Sequence, residues 1–229
     1  MAPETPARAQ ALVHTIHDGL RPMELQLRQH PYVQALEEGR LPPSQLRLFV
    51  GEQSSIIPSD LRSIALLISR STALASQQFF RAVLNGEAAA LEALETLATA
   101  MRMSPADRDA YEPTPGAQAY SAYLAWLCLY GSEAEVAAAL SVNFAAWGAN
   151  CGRIAQALRQ RYGWQEEAVR FFTQFATAPP DVSPQALAVI EAGLARGVET
   201  HRIIRAARML QEYELMFWDT LLALSAHET

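Results

Sequence analysis

The sequence predicts a single all-α domain, and three observations support that prediction. Apolar residues recur at helical spacing along nearly all of the 229 residues, and no period-two strand pattern bounded by hairpin turns is present. Half of the residues are hydrophobic, which is enough for one sizeable core. No Gly/Ser linker and no run of charge divides the chain. We therefore expect one helical domain over residues 1–229, with its core at about 8–224.

The starts of several helices are marked by capping residues. Ser104, Thr114 and Ser183 each stand before a proline, which is the preferred order of an N-cap residue and a first helical residue. Ser132 is followed three residues later by Glu135, as in a capping box, just before the run "VAAALSVNFAAW". These positions predict that new helices begin at or directly after them.

Glycine, proline and asparagine mark the breaks between helices. We place breaks at 39–43, 85–86, 113–116, 131, 162–163 and 179–183. Pro58 should kink the helix that contains it, whereas Gly193 and Gly197 should weaken the last helix without ending it. About eight helices result, over residues 5–29, 44–70, 72–84, 87–102, 115–130, 133–161, 164–177 and 184–224.

Composition excludes several classes of partner. The net charge is −6, and no basic run is present, so nucleic acid is not expected as a partner. No segment approaches 18 uninterrupted apolar residues, and the first twenty lack a hydrophobic signal core, so we expect no membrane partner. Cys128 and Cys151 do not make a disulfide framework and suggest two reduced thiols in a cytoplasmic protein.

One acidic residue lies where apolar side chains are expected. In "LQEYELMFWD", Leu210, Glu214, Phe217, Trp218 and Leu221 share one face of a helix. Glu214 should therefore point to the interior, where an ionised carboxylate is costly unless it has a partner. Its own helix offers no cation three or four residues away, so we expect a partner from another segment or from a ligand.

The usual signatures of metal, phosphate and nucleophile sites are missing from the sequence. It contains no Glu-x-x-His spacing for a carboxylate-bridged metal pair, no Gly-rich phosphate loop and no Gly-x-Ser-x-Gly elbow. We therefore expect no metal and no cofactor. Gln53 and Asn143 are polar residues in apolar helix faces, and each alone is more often a satisfied core amide than a ligand contact. With Glu214 they could instead converge on a pocket between facing helices.

Four stretches resemble the TenA family, the class II thiaminases and aminopyrimidine hydrolases of thiamine salvage. They are "HPYVQALEEGRLP" (30–42), "LRLFVGEQ" (46–53), "EPTPGAQAYSAYL" (112–124) and "YELMFW" (213–218). The resemblance implies a haem-oxygenase-like helical bundle with a small pocket for a pyrimidine. It also implies self-association as a homodimer or homotetramer, in agreement with the wide apolar faces of the predicted helices.

The resemblance also assigns residues to that pocket. The family's acid/base glutamate falls on Glu214, and a pocket tyrosine falls on Tyr120. Other family positions differ here, because the pyrimidine-binding aspartate falls on Gln53 and the nucleophilic cysteine falls on Asn143. Three family tyrosines are replaced by apolar residues, namely Ile56, Trp147 and Phe175. The predicted pocket thus keeps the acid and becomes more apolar. Cys151 is eight residues beyond Asn143, about 12 Å along a helix, and is not expected to replace the nucleophile.

Four hypotheses follow for function. The first is a TenA-like protein that binds a small heteroaromatic or apolar metabolite, is not a thiaminase, and uses Glu214 in any hydrolysis or proton transfer. The second is a cysteine-independent hydrolase of a pyrimidine derivative in thiamine salvage. The third is an oxygenase of the same fold, and the missing ligand spacings count against a metal-dependent version. The fourth is a binding or assembly protein without catalysis, favoured by the losses at Gln53 and Asn143.

Overall fold

The described residues, 7–177 and 183–227 of the computed structural model, form ten α-helices and no strand, which confirms the all-α prediction. A single 3-10 turn at Pro43–Gln45 precedes the third helix. The helices are α1 (Ala7–Arg28), α2 (Pro31–Glu37), α3 (Leu46–Arg70), α4 (Leu74–Ala100), α5 (Pro105–Asp109), α6 (Pro115–Tyr130), α7 (Glu133–Tyr162), α8 (Glu166–Ala176), α9 (Pro184–Ala195) and α10 (Thr200–His227).

Three of the four predicted caps form as expected. Ser104 and Ser132 each make a complete capping box, and the hydroxyl of Ser183 accepts the amide hydrogen bond of the third residue of α9. Thr114 precedes α6, but its side chain does not cap that helix. Its hydroxyl donates instead to Oε1 of Glu52 at 2.8 Å. The helix α6 begins directly after Thr114 as predicted, and the side chain of this threonine joins it to α3.

The predicted break at residues 85–86 is wrong, because α4 continues through both. A Cβ atom at Gly86 would have open space around it, so the glycine marks an exposed helical position and not a turn. Leaving a glycine inside a helix costs only about 1 kcal/mol. That cost is small beside the burial of Phe80 and Val83 before it and Ala90 and Leu94 after it.

The predicted last helix, 184–224, is divided into α9 and α10. Gly197 has φ +88°, a left-handed conformation that favours glycine, and Val198 N donates to Gly193 O as a helix ends there. Gly193 has a separate role, since a Cβ atom there would lie 2.3 Å from Cβ of Ala134. It therefore lets α9 approach α7 closely. The short helices α2 and α5 are absent from the eight predicted spans, although the start of α5 after Ser104 was predicted.

Glu52 on α3 holds the beginning of α6 in place. Its side chain is fully buried, and its carboxylate accepts hydrogen bonds from four donors. The donors are Tyr111 Oη at 3.0 Å, Thr114 N at 3.0 Å, Thr114 Oγ1 at 2.8 Å and Gln118 Nε2 at 2.7 Å. A buried carboxylate is tolerated when it has this many donors. The contacts fix α6 against α3 and so position Tyr120, which lies in the next half-turn.

Two clusters of buried apolar side chains form the core, and they occupy opposite ends of the long helices. On α4 one cluster ends at Val83 and the other begins at Ala90. On α10 the corresponding residues are Leu210 and Phe217. Tyr120 packs against both clusters. The level between the clusters is where polar side chains from several helices meet.

Candidate functional site: a cavity between the two core clusters

A cavity of about 40 Å³ lies at the level where the two clusters meet. At roughly 10–15 Å³ for each water, this space would hold about three water molecules. Six helices contribute to its wall. The lining side chains are Gln53, Ile56, Ile57, Asp60, Glu87, Tyr120, Asn143, Phe144, Trp147, Phe175, Glu214 and Phe217.

All seven residues predicted for the pocket line this one cavity. They come from five helices: α3 supplies two, α6 one, α7 two, α8 one and α10 one. The seven are Gln53, Ile56, Tyr120, Asn143, Trp147, Phe175 and Glu214. Their roles toward a ligand remain predictions.

Glu214 is buried in the wall of the cavity, as its position on the apolar face of α10 predicted. Asn143 Nδ2 donates to its Oε2 at 2.7 Å, and Trp218 Nε1 donates to its Oε1 at 3.1 Å. We expected a partner from outside its own helix; Asn143 is such a partner, but Trp218 lies one turn away on α10. Both partners are neutral donors.

Burial raises the pKa of Glu214 to about 8, although the hydrogen bonds from Trp218 and Asn143 favour the ionised form and limit the rise. The carboxyl group is therefore mainly protonated at neutral pH. A protonated carboxyl with a pKa near the working pH is suited to give a proton to a bound molecule and to take one back. Glu214 is therefore suited to act as a general acid and then as a general base.

Asn143 links three helices through its amide. Its Oδ1 accepts from Tyr120 Oη at 2.9 Å, and its Nδ2 donates to Gln211 Oε1 at 2.9 Å as well as to Glu214. Both amide hydrogens are thus used within the protein, which fixes the orientation of the amide. Asn143 holds Glu214 and Tyr120 at the cavity, and its amide cannot act as a nucleophile.

Aromatic rings form much of the remaining wall. Trp147 lies with its ring centroid 5.9 Å from that of Phe175 and 5.8 Å from that of Phe217, and both pairs meet edge to face. Behind this wall, Phe49 stacks on Trp147 at 6.1 Å. The rings pack against one another, and the wall offers flat apolar surface to a planar ligand.

Gln53 gives the cavity a polar group that the protein does not use. Its side chain is almost fully buried, yet it forms no hydrogen bond with the residues that the structure describes. A primary amide offers both a donor and an acceptor. The ring of a heteroaromatic compound with an adjacent N–H and C=O, or an amide substituent, would match it.

Sequence reasoning missed five lining residues: Ile57, Asp60, Glu87, Phe144 and Phe217. Asp60 carried a usable signal, because it lies seven residues after Gln53 and therefore on the same face of α3, two turns away. Glu87 did not, since it was placed at the beginning of a separate helix.

Neither cysteine lines the cavity. Cys128 and Cys151 are both buried with free thiols. Burial raises the pKa of Cys128 to about 12 and raises the pKa of Cys151 well above its ordinary value. Neither is an activated thiolate, which agrees with the expectation that Cys151 does not replace the nucleophile. Within residues 7–177 and 183–227, no cluster of three or more His, Cys, Asp and Glu side chains is arranged to hold a metal ion.

The same part of the chain has no helix with the length and apolar character needed to cross a bilayer.

Comparison with solved structures confirms the predicted haem-oxygenase-like fold. A TenA homologue from Pseudomonas syringae is 12% identical, covers 93% of each chain and superposes with a TM-score of 0.79. A TenA homologue from Pyrococcus furiosus is 18% identical, covers 92% of this chain and 99% of its own, and gives 0.72. A domain of unknown function with a haem-oxygenase-like fold, from Shewanella denitrificans, is 11% identical with 92% and 91% coverage and a TM-score of 0.72.

Comparison of sequences identifies the family. None of the curated proteins matches the chain. The model of the TENA/THI-4/PQQC family matches residues 17–223, which include every residue of the cavity wall. The chain therefore belongs to the TENA/THI-4/PQQC family.

Proposed function

We propose that this protein binds a small heteroaromatic metabolite in the cavity between its core clusters and does not cleave thiamine. The observation that carries the proposal is the carboxyl of Glu214, buried beside an aromatic wall and held by Asn143 and Trp218. The flat rings favour a planar ligand, and the free amide of Gln53 favours one with hydrogen-bonding atoms at its edge.

Any reaction at this site is proposed to be a hydrolysis that uses Glu214. Water adds to the carbon of an amide or related C–N bond, and that bond breaks as Glu214 gives its proton to the leaving nitrogen. The carboxylate then recovers a proton from the added water. Covalent attack of the thiaminase kind requires a thiolate, and Asn143 supplies an amide at the family's nucleophile position.

The direct test is to incubate the purified protein with thiamine and with aminomethyl- and formylamino-pyrimidines, and to follow product release by chromatography. We expect no turnover of thiamine. If any of these compounds is hydrolysed, we expect it to be the pyrimidine amide alone. Robust thiamine cleavage would overturn the proposal. Binding of each compound is measured in parallel by calorimetry, since a pocket that binds none of them would also contradict it.

Glu214→Gln tests the role of the carboxyl. The substitution keeps the shape but places an NH₂ group against a donor, either Nδ2 of Asn143 or Nε1 of Trp218. We therefore expect a loss of about 1–3 kcal/mol in the free energy of unfolding together with loss of turnover. Glu92→Gln, at an exposed position on α4, is the matched control and should change neither. If Glu214→Gln is folded and has unchanged binding and turnover, Glu214 serves packing only.

A further inference from the structure

Two carboxyl groups that the proposed function does not use line the same cavity. Asp60 projects from α3 and Glu87 from α4. Asp60 is only 3% exposed, and its Oδ1 is buried without a hydrogen-bond partner in the part of the chain that the structure describes. A buried acceptor without a donor is costly, and native proteins seldom leave one unless a ligand or water completes it.

Within the described residues, no cation pairs with either carboxyl group. The chain has no lysine, and none of its arginines within the described residues forms an ion pair with Asp60 or Glu87. The titratable groups facing Asp60 from α6 are Tyr120 and Cys128, both of which are neutral at pH 7 because burial raises their pKa. Glu214 of α10 is a further acidic residue, and its charge also raises the pKa of Tyr120.

The electrostatic state of the pair follows from this arrangement. Burial, and then the nearby charge of Glu87, raise the pKa of Asp60, and burial raises the pKa of Glu87. Two adjacent carboxyl groups in a cavity wall therefore retain protons that a cation would displace. A cationic group with several N–H donors would supply both the missing charge and the missing hydrogen bond to Oδ1.

We propose that Asp60 and Glu87 form a subsite for a protonated amine or amidine carried by the ring that the cavity binds. This inference rests on the proposed function, because it requires a ring compound in the cavity, and it specifies the substituent of that ring. Asp60 lies two turns from Gln53 along α3, about 10 Å along the helix axis. Both side chains line the same cavity, so the amide of Gln53 and the carboxyl of Asp60 face different parts of a molecule bound there.

The aromatic wall is compatible with such a ligand. Trp147 and Phe217 line the cavity together with Asp60 and Glu87. A cation beside aromatic faces is attracted by their negative potential, which adds to the attraction of the carboxylates. The site would thus prefer a cationic ring compound over a neutral one of the same size.

The test compares two pairs of probes that differ in charge and little in size: benzamidine with benzamide, and benzylamine with benzyl alcohol. Binding to the full chain is measured by calorimetry at pH 7 in two buffers with different heats of ionisation. We expect the cationic member of each pair to bind at least tenfold more tightly and to release protons on binding. Asp60→Asn and Glu87→Gln should each remove most of that preference while leaving the affinity for the neutral member unchanged.

Glu92→Gln, on the same helix as Glu87 but exposed, is the control and should retain the preference. Asp60→Asn keeps the shape of a protonated carboxyl and should fold. If the Asp60→Asn protein does not fold, Glu87→Gln tests the same pair, because Glu87 is only partly buried. Equal binding of charged and neutral probes, with no effect of either substitution, would overturn the cation subsite and leave ring binding intact. Binding of none of the four probes would overturn both proposals.

Discussion

Asn143 Nδ2 lies 2.7 Å from Oε2 of Glu214, so the residue that the TenA resemblance aligns with a nucleophile supports the residue that it aligns with an acid. The same amide accepts from Tyr120 and donates to Gln211. A cysteine at 143 could make none of these strong contacts. Asn143 therefore joins α6, α7 and α10 beside the cavity.

Trp218→Phe should raise the pKa of Glu214 further above its value of about 8. The indole N–H donates to Oε1 and favours the ionised carboxyl, and phenylalanine removes that donor while retaining an aromatic ring. The measurement is an infrared titration of the carboxyl C=O band, taken as the difference between each protein and its Glu214→Gln derivative. Phe217→Leu alters neighbouring packing without removing a donor and is the control. A midpoint that stays or falls in Trp218→Phe would contradict the assignment.

The stability of the protein should fall as the pH rises from about 4.5 to 8. The pKa of Glu214 is about 8 in the folded chain and ordinarily 4.5, so the folded state binds more protons than the unfolded state across that interval. The contribution is fully present below pH 4.5 and is lost as the pH passes 8. Asp60 and Glu87 act in the same direction because their pKa values are also raised.

Thermal unfolding at a series of pH values measures this slope. Glu214→Gln should flatten it in part, by an amount of order a few kcal/mol over the interval, since the other two carboxyl groups remain. Glu92→Gln should keep the full slope. A Glu214→Gln protein with the slope of the parent would show that Glu214 titrates normally in the folded state.

Cys128 and Cys151 should resist alkylation in the folded protein. Both thiols are buried, and burial raises the pKa of each, so very little thiolate is present near pH 7. Mass spectrometry after iodoacetamide treatment should find neither modified within a time that labels both in denaturant. Rapid labelling of Cys151 in the folded state would reopen the possibility that it serves as a nucleophile.

Self-association is expected from the surface of α6 as well as from the family resemblance. Trp126, Leu129 and Tyr130 are 49%, 46% and 65% exposed and lie within five residues of one another on that helix. Apolar side chains grouped in this way commonly mark an interface. Sedimentation velocity at micromolar concentration should give a mass above the 25.2 kDa of one chain. A single species of monomer mass would contradict the expectation.

The sequence predicted the structure best where the helical spacing of apolar residues was the dominant pattern. The inward face of α10 followed from the spacing of five residues, and all of them are buried. The division between α9 and α10 depends on the positive φ of Gly197 and on the contact of Gly193 with Ala134, and neither is visible in periodicity. Continuity of α4 was missed because packing on both sides outweighs the weak helix propensity of residues 85–86.

The cavity residues were predicted from positions aligned with the family, so the prediction could not include residues outside those positions. The seven residues matched to family motifs all line it, whereas Asp60 and Glu87 match no motif and were missed. Asp60 shares a face of α3 with Gln53, whereas nothing in the sequence around Glu87 indicates that another helix will cover it. Only the packing of α3 against α4 brings these two side chains together.

The level of the cavity between the two core clusters also bears on how the protein unfolds. The apolar contacts of α4 and α10 are interrupted there by Glu87 and Glu214, and Tyr120 is a side chain common to both clusters. An empty cavity leaves the two ends of the molecule joined through a polar layer, so each can open with some independence. A bound ring would contact both sides of that layer. Occupancy should therefore couple the two ends, and amide hydrogen exchange in α4 and α10 should slow on both sides of the cavity together.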